Sequence, residues 1–262
     1  MGGKDDCLVV ERDGPLTVIT IDRPFVANAL HPDASWKLAE VFDEFAADPD
    51  QWVAILTAAG DSSFCAGADL KYRAEFGRQP LPPTGFAGLT QRFDLDKPVI
   101  AAVNGAALGG GFEVALACDL IVASEDARFG LTEVKHGLAA LGGGIHRLAR
   151  ATSFRVATEL VLTGRVLSAR EAYELNIVNE VVSHEELMSR SRHWADSLLA
   201  EAPLAVRASK EVLLRGLDEA SLEAAINNQD NYPAVKRMRA SSDAEEGARA
   251  FAEKRKPRWS AR

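Results

Sequence analysis

KPVIAAVNGAALGGGFEVALACD, residues 97–119, is the stretch whose parsing decides the fold. Val99, Ile100, Ala101, Ala102 and Val103 make a short apolar run rich in β-branched residues, the pattern of a buried strand. Asn104-Gly105 turns the chain. Gly109, Gly110 and Gly111 then lead into Phe112 to Ala117, where the apolar spacing becomes helical. A glycine triplet at a helix start costs backbone entropy and marks a place where something approaches the backbone closely. The helix N-terminus adds unpaired N–H groups and a partial positive charge suited to an oxyanion. Glu113 follows Gly110 by one helical turn, about 5 Å along the axis at ~1.5 Å per residue. A donor and a proton-transfer group so close together point to acyl chemistry. The same glycines also suit plain close packing. Phosphate cradles are excluded, because the dinucleotide spacing and a Gly-Lys-Ser/Thr sequence are both missing.

Working outward, Leu8-Val9-Val10 and residues 16–21, LTVITI, flank Asp13-Gly14-Pro15 as two strands of a hairpin. Pro32-Asp33 opens a helix with Leu38, Val41, Phe42 and Phe45 on one face. Residues 52–57 read as another buried strand. Residues 77–85, GRQPLPPTG, read as a mobile surface loop between two motif-bearing segments. Beyond the central stretch, residues 120–123 are a strand, and a second triplet, Gly142 to Gly144, opens a helix through Leu148 and Ala149. Alternating strands and helices imply parallel strands with right-handed crossovers. Later residues are helical, with Ser168/Glu171 and Ser183/Glu186 spaced as capping boxes, a helix starting at Pro203, and a last one capped by Ser242-Asp243. The chain divides into an α/β core, 1–182, and a helical region, 183–262. No internal sequence repeat is visible.

A chain of 262 residues with 47% hydrophobic and 26% charged residues is long enough for a large globular core. Its net charge of −8 argues against nucleic-acid or anionic-membrane partners. No apolar run reaches membrane-spanning length, and the N-terminus lacks the apolar centre of a signal peptide. Cys7, Cys65 and Cys118 are too few and too scattered for a disulfide framework or a metal cluster. A cytoplasmic, reduced protein is expected.

Two further pieces join the Gly110–Glu113 pair. Ala66-Gly67-Ala68-Asp69 is a small-residue loop after a strand, where parallel sheets bind ligands, and can present a second backbone N–H toward Gly110. Glu133 lies twenty residues after Glu113; two carboxylates on one cavity can polarise a water and move a proton. FCAGADL (64–70), the 97–119 stretch, FGLTE (129–133) and FAEKRKP (251–257) together resemble the crotonase family, the enoyl-CoA hydratases and isomerases, from Arg23 to Pro257. GFAGLT (85–90), LDKPVIAAVNG and AFAEKRKPRW are similar to its carnitinyl-CoA dehydratase branch.

The resemblance implies an α/β fold, a crotonase-type ββα spiral core with a C-terminal α-helical trimerisation region. It implies a homotrimer or dimer of trimers, a lyase of fatty acid β-oxidation acting on an acyl-CoA thioester, and coenzyme A as part of the substrate, with no separate cofactor and no metal. It places the oxyanion N–H groups at Ala66 and Gly110 and the catalytic carboxylates at Glu113 and Glu133. Coenzyme A and substrate contacts fall at Arg23, Phe25, Ala27, Ala68, Asp69, Leu70 and Leu141, with Phe251 and Lys254 reaching in from a neighbouring subunit. The activity implied is enoyl-CoA hydratase; carnitinyl-CoA (crotonobetainyl-CoA) dehydratase or enoyl-CoA isomerase is the alternative. Three positions depart from the common pattern: Thr132 replaces a frequent proline, Phe25 a frequent lysine, and Leu141 sits in an AALGGG loop (139–144) where a proline-glycine form is familiar.

Overall fold

In the computed structural model, which describes residues 7–262, period-two alternation in the central strands feeds two separate cores. The strands are β1 (Leu8–Asp13), β2 (Leu16–Ile21), β3 (Val53–Ala58), β5 (Val99–Val103), β7 (Leu120–Ser124) and β10 (Glu180–Val182), in the sheet order β1-β2-β3-β5-β7-β10. Ile19, Leu56, Ala101 and Ala123 face one core, and Val18, Ile55, Ala102 and Val122 face the other. Both faces are covered, which is why these strands read as continuous apolar runs. β1 and β2 form the expected antiparallel hairpin, and every other pairing in this sheet is parallel.

A second, four-stranded sheet lies against the first core, built from β4 (Ser63–Cys65), β6 (Ala106–Leu108), β8 (Arg128–Gly130) and β9 (Leu167–Ser168) in that order. Each central strand of the large sheet turns into a short strand of the small one: β3 into β4, β5 into β6, β7 into β8. A helix or helical turn follows each: α2 (Leu70–Phe76), α3 (Gly110–Ala117) and a 3₁₀ turn at Glu133–His136. The result is a spiral of ββα turns. Its repeat is structural and leaves no trace as a sequence repeat. The turns touch backbone to backbone, since a methyl on Gly105 would overlap the main chain at Ser62 and Ser63. Asn104 Nδ2 ties the neighbouring turn through the carbonyls of Ala58 (3.0 Å) and Gly60 (2.5 Å).

α1 (Pro32–Ala47) begins where the sequence places it, with His31 Nδ1 accepting from the Ala34 N–H at 3.0 Å, and buries Leu38, Phe42 and Phe45 in the first core. Losing a buried phenylalanine of this kind costs about 3–5 kcal/mol. Lys97 is buried at the other end of α1 and donates to the Phe45 (2.6 Å) and Asp48 (2.5 Å) carbonyls. It satisfies orphan acceptors at a helix C-terminus.

Beyond β8 come α4 (Gly144–Ala151), α5 (Phe154–Thr163), α6 (Ala169–Glu174), α7 (Leu187–Leu199), α8 (Pro203–Gly216), α9 (Leu222–Asn228), α10 (Pro233–Ala240) and α11 (Asp243–Ala252). The capping box at Ser168/Glu171 is present. Ser183 and Glu186 are instead joined side chain to side chain at 2.9 Å in a turn ahead of α7, which starts at Leu187. The boundary expected after residue 182 precedes α7, yet α7 puts Leu187 and Ala195 into the second core. Only from α8 onward do the helices form a cluster of their own, around Ala208, Tyr232, Ala234 and Val235. α11 has no side-chain cap from Ser242; the Asp243 carboxylate accepts from the Ser260 (2.8 Å) and Ala261 (2.9 Å) N–H groups and folds the C-terminus back onto the helix start. The short strands β4, β6, β9 and β10 and the helix α2 went unread in the sequence, being too brief for periodicity to register. The N-terminal reading against a signal peptide rests partly on residues 1–6, outside the described residues. Among the described residues no helix is long and apolar enough to cross a membrane.

Candidate active site

The three glycines of the first triplet serve different ends. Gly109 holds φ +54, and a methyl there would come 3.3 Å from Glu133 Oε1, so the missing side chain makes room for that carboxylate. Gly110 opens α3 with its N–H free of any intrahelical partner, its Cα facing the Phe86 ring. Gly111 packs on β4 so tightly that a methyl would overlap the Cys65 carbonyl.

Glu113, in the first turn of α3 and 5% exposed, points into the second triplet. Gly144 N–H donates to its Oε1 at 2.9 Å. Methyl groups on Gly142 and Gly144 would come 2.6 Å from its Oε2 and 2.8 Å from its Cγ. Gly142 and Gly144 of the second run therefore leave the space that this carboxylate fills. Burial pushes the Glu113 carboxyl up to about 7, against the N–H groups of Gly144 and Gly142, with the nearby Glu133 charge adding to the rise and the Arg147 guanidinium opposing it. Glu133 sits at the start of the 3₁₀ turn, and its Oε2 is buried without a partner. Burial raises its carboxyl as well, opposed by its own backbone hydrogen bond and by His136. Burial thus favours the neutral form of both carboxyls, and at Glu113 the neighbouring Glu133 charge adds to that preference.

The second donor is not where the sequence reading put it. Ala66 N–H is occupied, donating to the Ala27 carbonyl at 3.0 Å. Leu30 N–H bonds the Gly67 carbonyl (2.9 Å) and Asp69 N–H bonds the Leu30 carbonyl (3.0 Å), in an isolated parallel bridge centred on Ala68. Strand alternation turns the Ala68 N–H to the opposite side, where it has no partner among the described residues. Gly67 has φ +91, and a methyl on it would fall 3.0 Å from the Gly110 nitrogen. The 66–69 loop and the start of α3 thus meet at Gly67, with the N–H groups of Ala68 and Gly110 left open.

The outlying candidates divide by exposure. Arg23 is 6% exposed and turned inward, paired with Asp69 at 3.4 Å, its Nε and Nη1 unpartnered; it braces this loop from behind and offers no open face to a ligand. Asp69 caps α2 through the Tyr72 N–H at 3.0 Å. Ala27 takes φ +53 and lends its carbonyl to Ala66. Phe25 (75%), Leu70 (45%), Leu141 (79%) and Phe251 (87%) expose large apolar side chains. Phe251 and Lys254 do not share a helical face as their spacing implied, because α11 ends at Ala252 and Lys254 adopts φ +55 beyond it. Cys65 is no nucleophile: burial pushes its thiol up to about 12. Sequence reasoning missed Phe86, Arg147 and the part that Gly142 and Gly144 play; the second glycine run was their only visible signal. Among the described residues no group of three or more His, Cys, Asp or Glu side chains is placed to hold a metal ion.

The chain is similar to known proteins over almost its whole length. The family model described as Enoyl-CoA hydratase/isomerase matches residues 11–262. The chain belongs to the enoyl-CoA hydratase/isomerase family. A carnitinyl-CoA dehydratase of Salmonella typhi is 47% identical, across 98% of this chain and 99% of that protein. The crystal structure of an enoyl-CoA hydratase from Mycobacterium tuberculosis H37Rv superposes with a TM-score of 0.91 at 40% identity, covering 98% of this chain and all of that one. A carnitinyl-CoA hydratase from Mycobacterium avium matches with a TM-score of 0.78 at 42% identity, over 99% of this chain and 100% of the other. The fold class expected from the sequence, the spiral α/β core with C-terminal helices, is that of the family.

Proposed function

We propose that the chain is a hydro-lyase that adds water across the 2,3-double bond of an enoyl-CoA and runs the reverse elimination. The observation that carries this is buried Glu113, one helical turn from the open backbone donor of Gly110, with the half-buried Glu133 carboxylate, its Oε2 unpartnered, brought up beside Gly109. The thioester oxygen would accept from the N–H groups of Gly110 and Ala68, which stabilise the enolate-like charge; each such donor is worth roughly 10²–10³ in rate. One carboxylate takes a proton from water as its oxygen bonds C3, and the other gives its proton to C2. General acid–base transfer of this kind contributes about 10²–10⁴. Coenzyme A enters as part of the substrate, and neither a further cofactor nor a metal has a step to perform.

The large exposed side chains Phe25, Leu70, Leu141 and Phe251 support a site finished by a neighbouring copy, in a trimer or dimer of trimers. Leu213, Leu214, Leu217, Leu222 and Ile226, exposed on α8, α9 and their connection, supply apolar surface for such an assembly. A cytoplasmic role in β-oxidation fits the substrate class. A carnitinyl-CoA dehydratase activity is the second reading, favoured by the 47% identity to proteins of that name. Loss of enoyl-thioester absorbance, followed with CoA esters of graded length and charge and with crotonobetainyl-CoA, tests both. Turnover of the uncharged esters supports the first reading and selective turnover of crotonobetainyl-CoA the second; failure with every ester, together with RNA retention on a filter at low salt, would overturn both.

A further inference from the structure

Arg147 lies on α4, three residues after the Gly144 that bonds Glu113, and its guanidinium turns back toward the loop before the helix. Nη2 donates to the Thr90 carbonyl at 2.9 Å, and Nη1 reaches the Gly142 carbonyl at 3.5 Å. Gly143 has φ +99, and a methyl on it would overlap Nη1, so the loop is shaped around this side chain. Thr90 ends the 85–90 segment, whose Phe86 ring lies against Gly110. One guanidinium therefore staples the loop that holds Glu113 to the loop that packs behind the oxyanion donor. Resting on the hydratase reading, we propose that Arg147 is a positioning residue that sets the proton affinity of Glu113, both by fixing the Gly142–Gly144 amides on its carboxylate and by lying near it as a fixed positive charge.

The charges around the pair leave this role to Arg147. Glu113 feels Glu133, which opposes its ionisation, and Arg147, which favours it. Arg147 in turn faces Glu113 on α3, Cys118 just past its end and Arg150 on its own helix, with the Phe93 ring 6.0 Å from its guanidinium carbon. His136 acts on Glu133. Burial disfavours the guanidinium charge, but arginine keeps its proton at any pH at which the enzyme works. Of these groups Arg147 alone offsets the cost of ionising Glu113.

The test is the pH dependence of kcat/KM for the best enoyl-CoA substrate in wild type, R147Q and R147K, with circular dichroism on each. The active form carries one proton on the carboxylate pair, and the alkaline limb marks its loss. Removing the cation and freeing the loop both favour the neutral carboxyl, so R147Q should move the alkaline limb up by about half a unit or more. R147K keeps the charge and loses the two-carbonyl fork, so its limb should rise by less than that of R147Q while kcat falls tenfold or more. An unmoved limb in a folded R147Q, with activity lowered equally at every pH, would reduce Arg147 to a structural residue. If R147Q does not fold, a folded R147K with kcat within twofold of wild type overturns the stapling role. Loss of the hydratase reading is a separate outcome, seen as no turnover in wild type.

Discussion

Glu113→Gln should make the protein more stable, and by an amount that depends on pH. The carboxyl sits near 4.5 when free and is pushed up to about 7 in the fold, chiefly by burial. A raised folded value means that the protonated form is favoured on folding, so the stability that Glu113 allows is complete below 4.5 and is lost as pH rises toward 7. With 1.36 kcal/mol per unit, ionising the buried group costs about 3 kcal/mol at pH 8 and under about 1 kcal/mol at pH 5. Glutamine keeps the shape and an oxygen for the Gly144 N–H but never ionises, so it escapes this cost. The advantage of the variant over wild type should grow by about 2.5 kcal/mol between pH 5 and pH 8, or roughly 5–10 °C in Tm for a chain of this size. Differential scanning fluorimetry in matched buffers of constant ionic strength reads this directly. A Tm difference that stays flat across that range would refute the account of Glu113 as a buried carboxylate kept against the interest of stability. It would remove the account of a proton affinity raised by burial.

Glu133→Gln should lower kcat at least a hundredfold while leaving KM for the CoA ester within about threefold, as expected for loss of a proton carrier; a drop under tenfold would sink its assignment. Gly144→Ala would place a methyl 2.8 Å from Glu113 Cγ and 2.9 Å from the Leu131 side chain, and should cost about 10²-fold in kcat by displacing the carboxylate; steady-state kinetics on the folded variant check it. Gly110→Pro deletes the donor N–H, but its Cβ would come 2.9 Å from the Phe86 ring, so the informative comparison is with Gly110→Ala, which shares the crowding and keeps the N–H. Proline should abolish turnover beyond what alanine does, and equal activity would take Gly110 out of the oxyanion site. Lys254→Ala should raise KM about tenfold, the loss of one charge-assisted hydrogen bond; an unchanged KM in a trimer verified by light scattering would leave Lys254 a solvated side chain past the helix.

Residues 97–119 by themselves determined much of this protein. Five consecutive apolar residues rich in β-branched side chains read as a strand buried on both faces, and three glycines followed by a helical pattern read as a helix start at which something comes close. Local chemistry decides such features, so Glu113, Gly110 and the parallel α/β plan were legible, with Glu133 a second carboxylate candidate that motif similarity then joined to Glu113. What the sequence leaves open is what depends on residues far apart in the chain. Whether a backbone N–H is free is decided by its carbonyl partner, and Ala66 is excluded only because Ala27, 39 positions earlier, occupies it. The reason for the second glycine run is a carboxylate from another helix, and Arg147 matters through the Thr90 carbonyl 57 positions away. Strands three residues long pair only because successive turns stack, a contact that Gly105 permits and no periodicity announces. Tertiary packing alone made the proton affinity of Glu113, since an elevated carboxyl needs the exclusion of water from all sides at once.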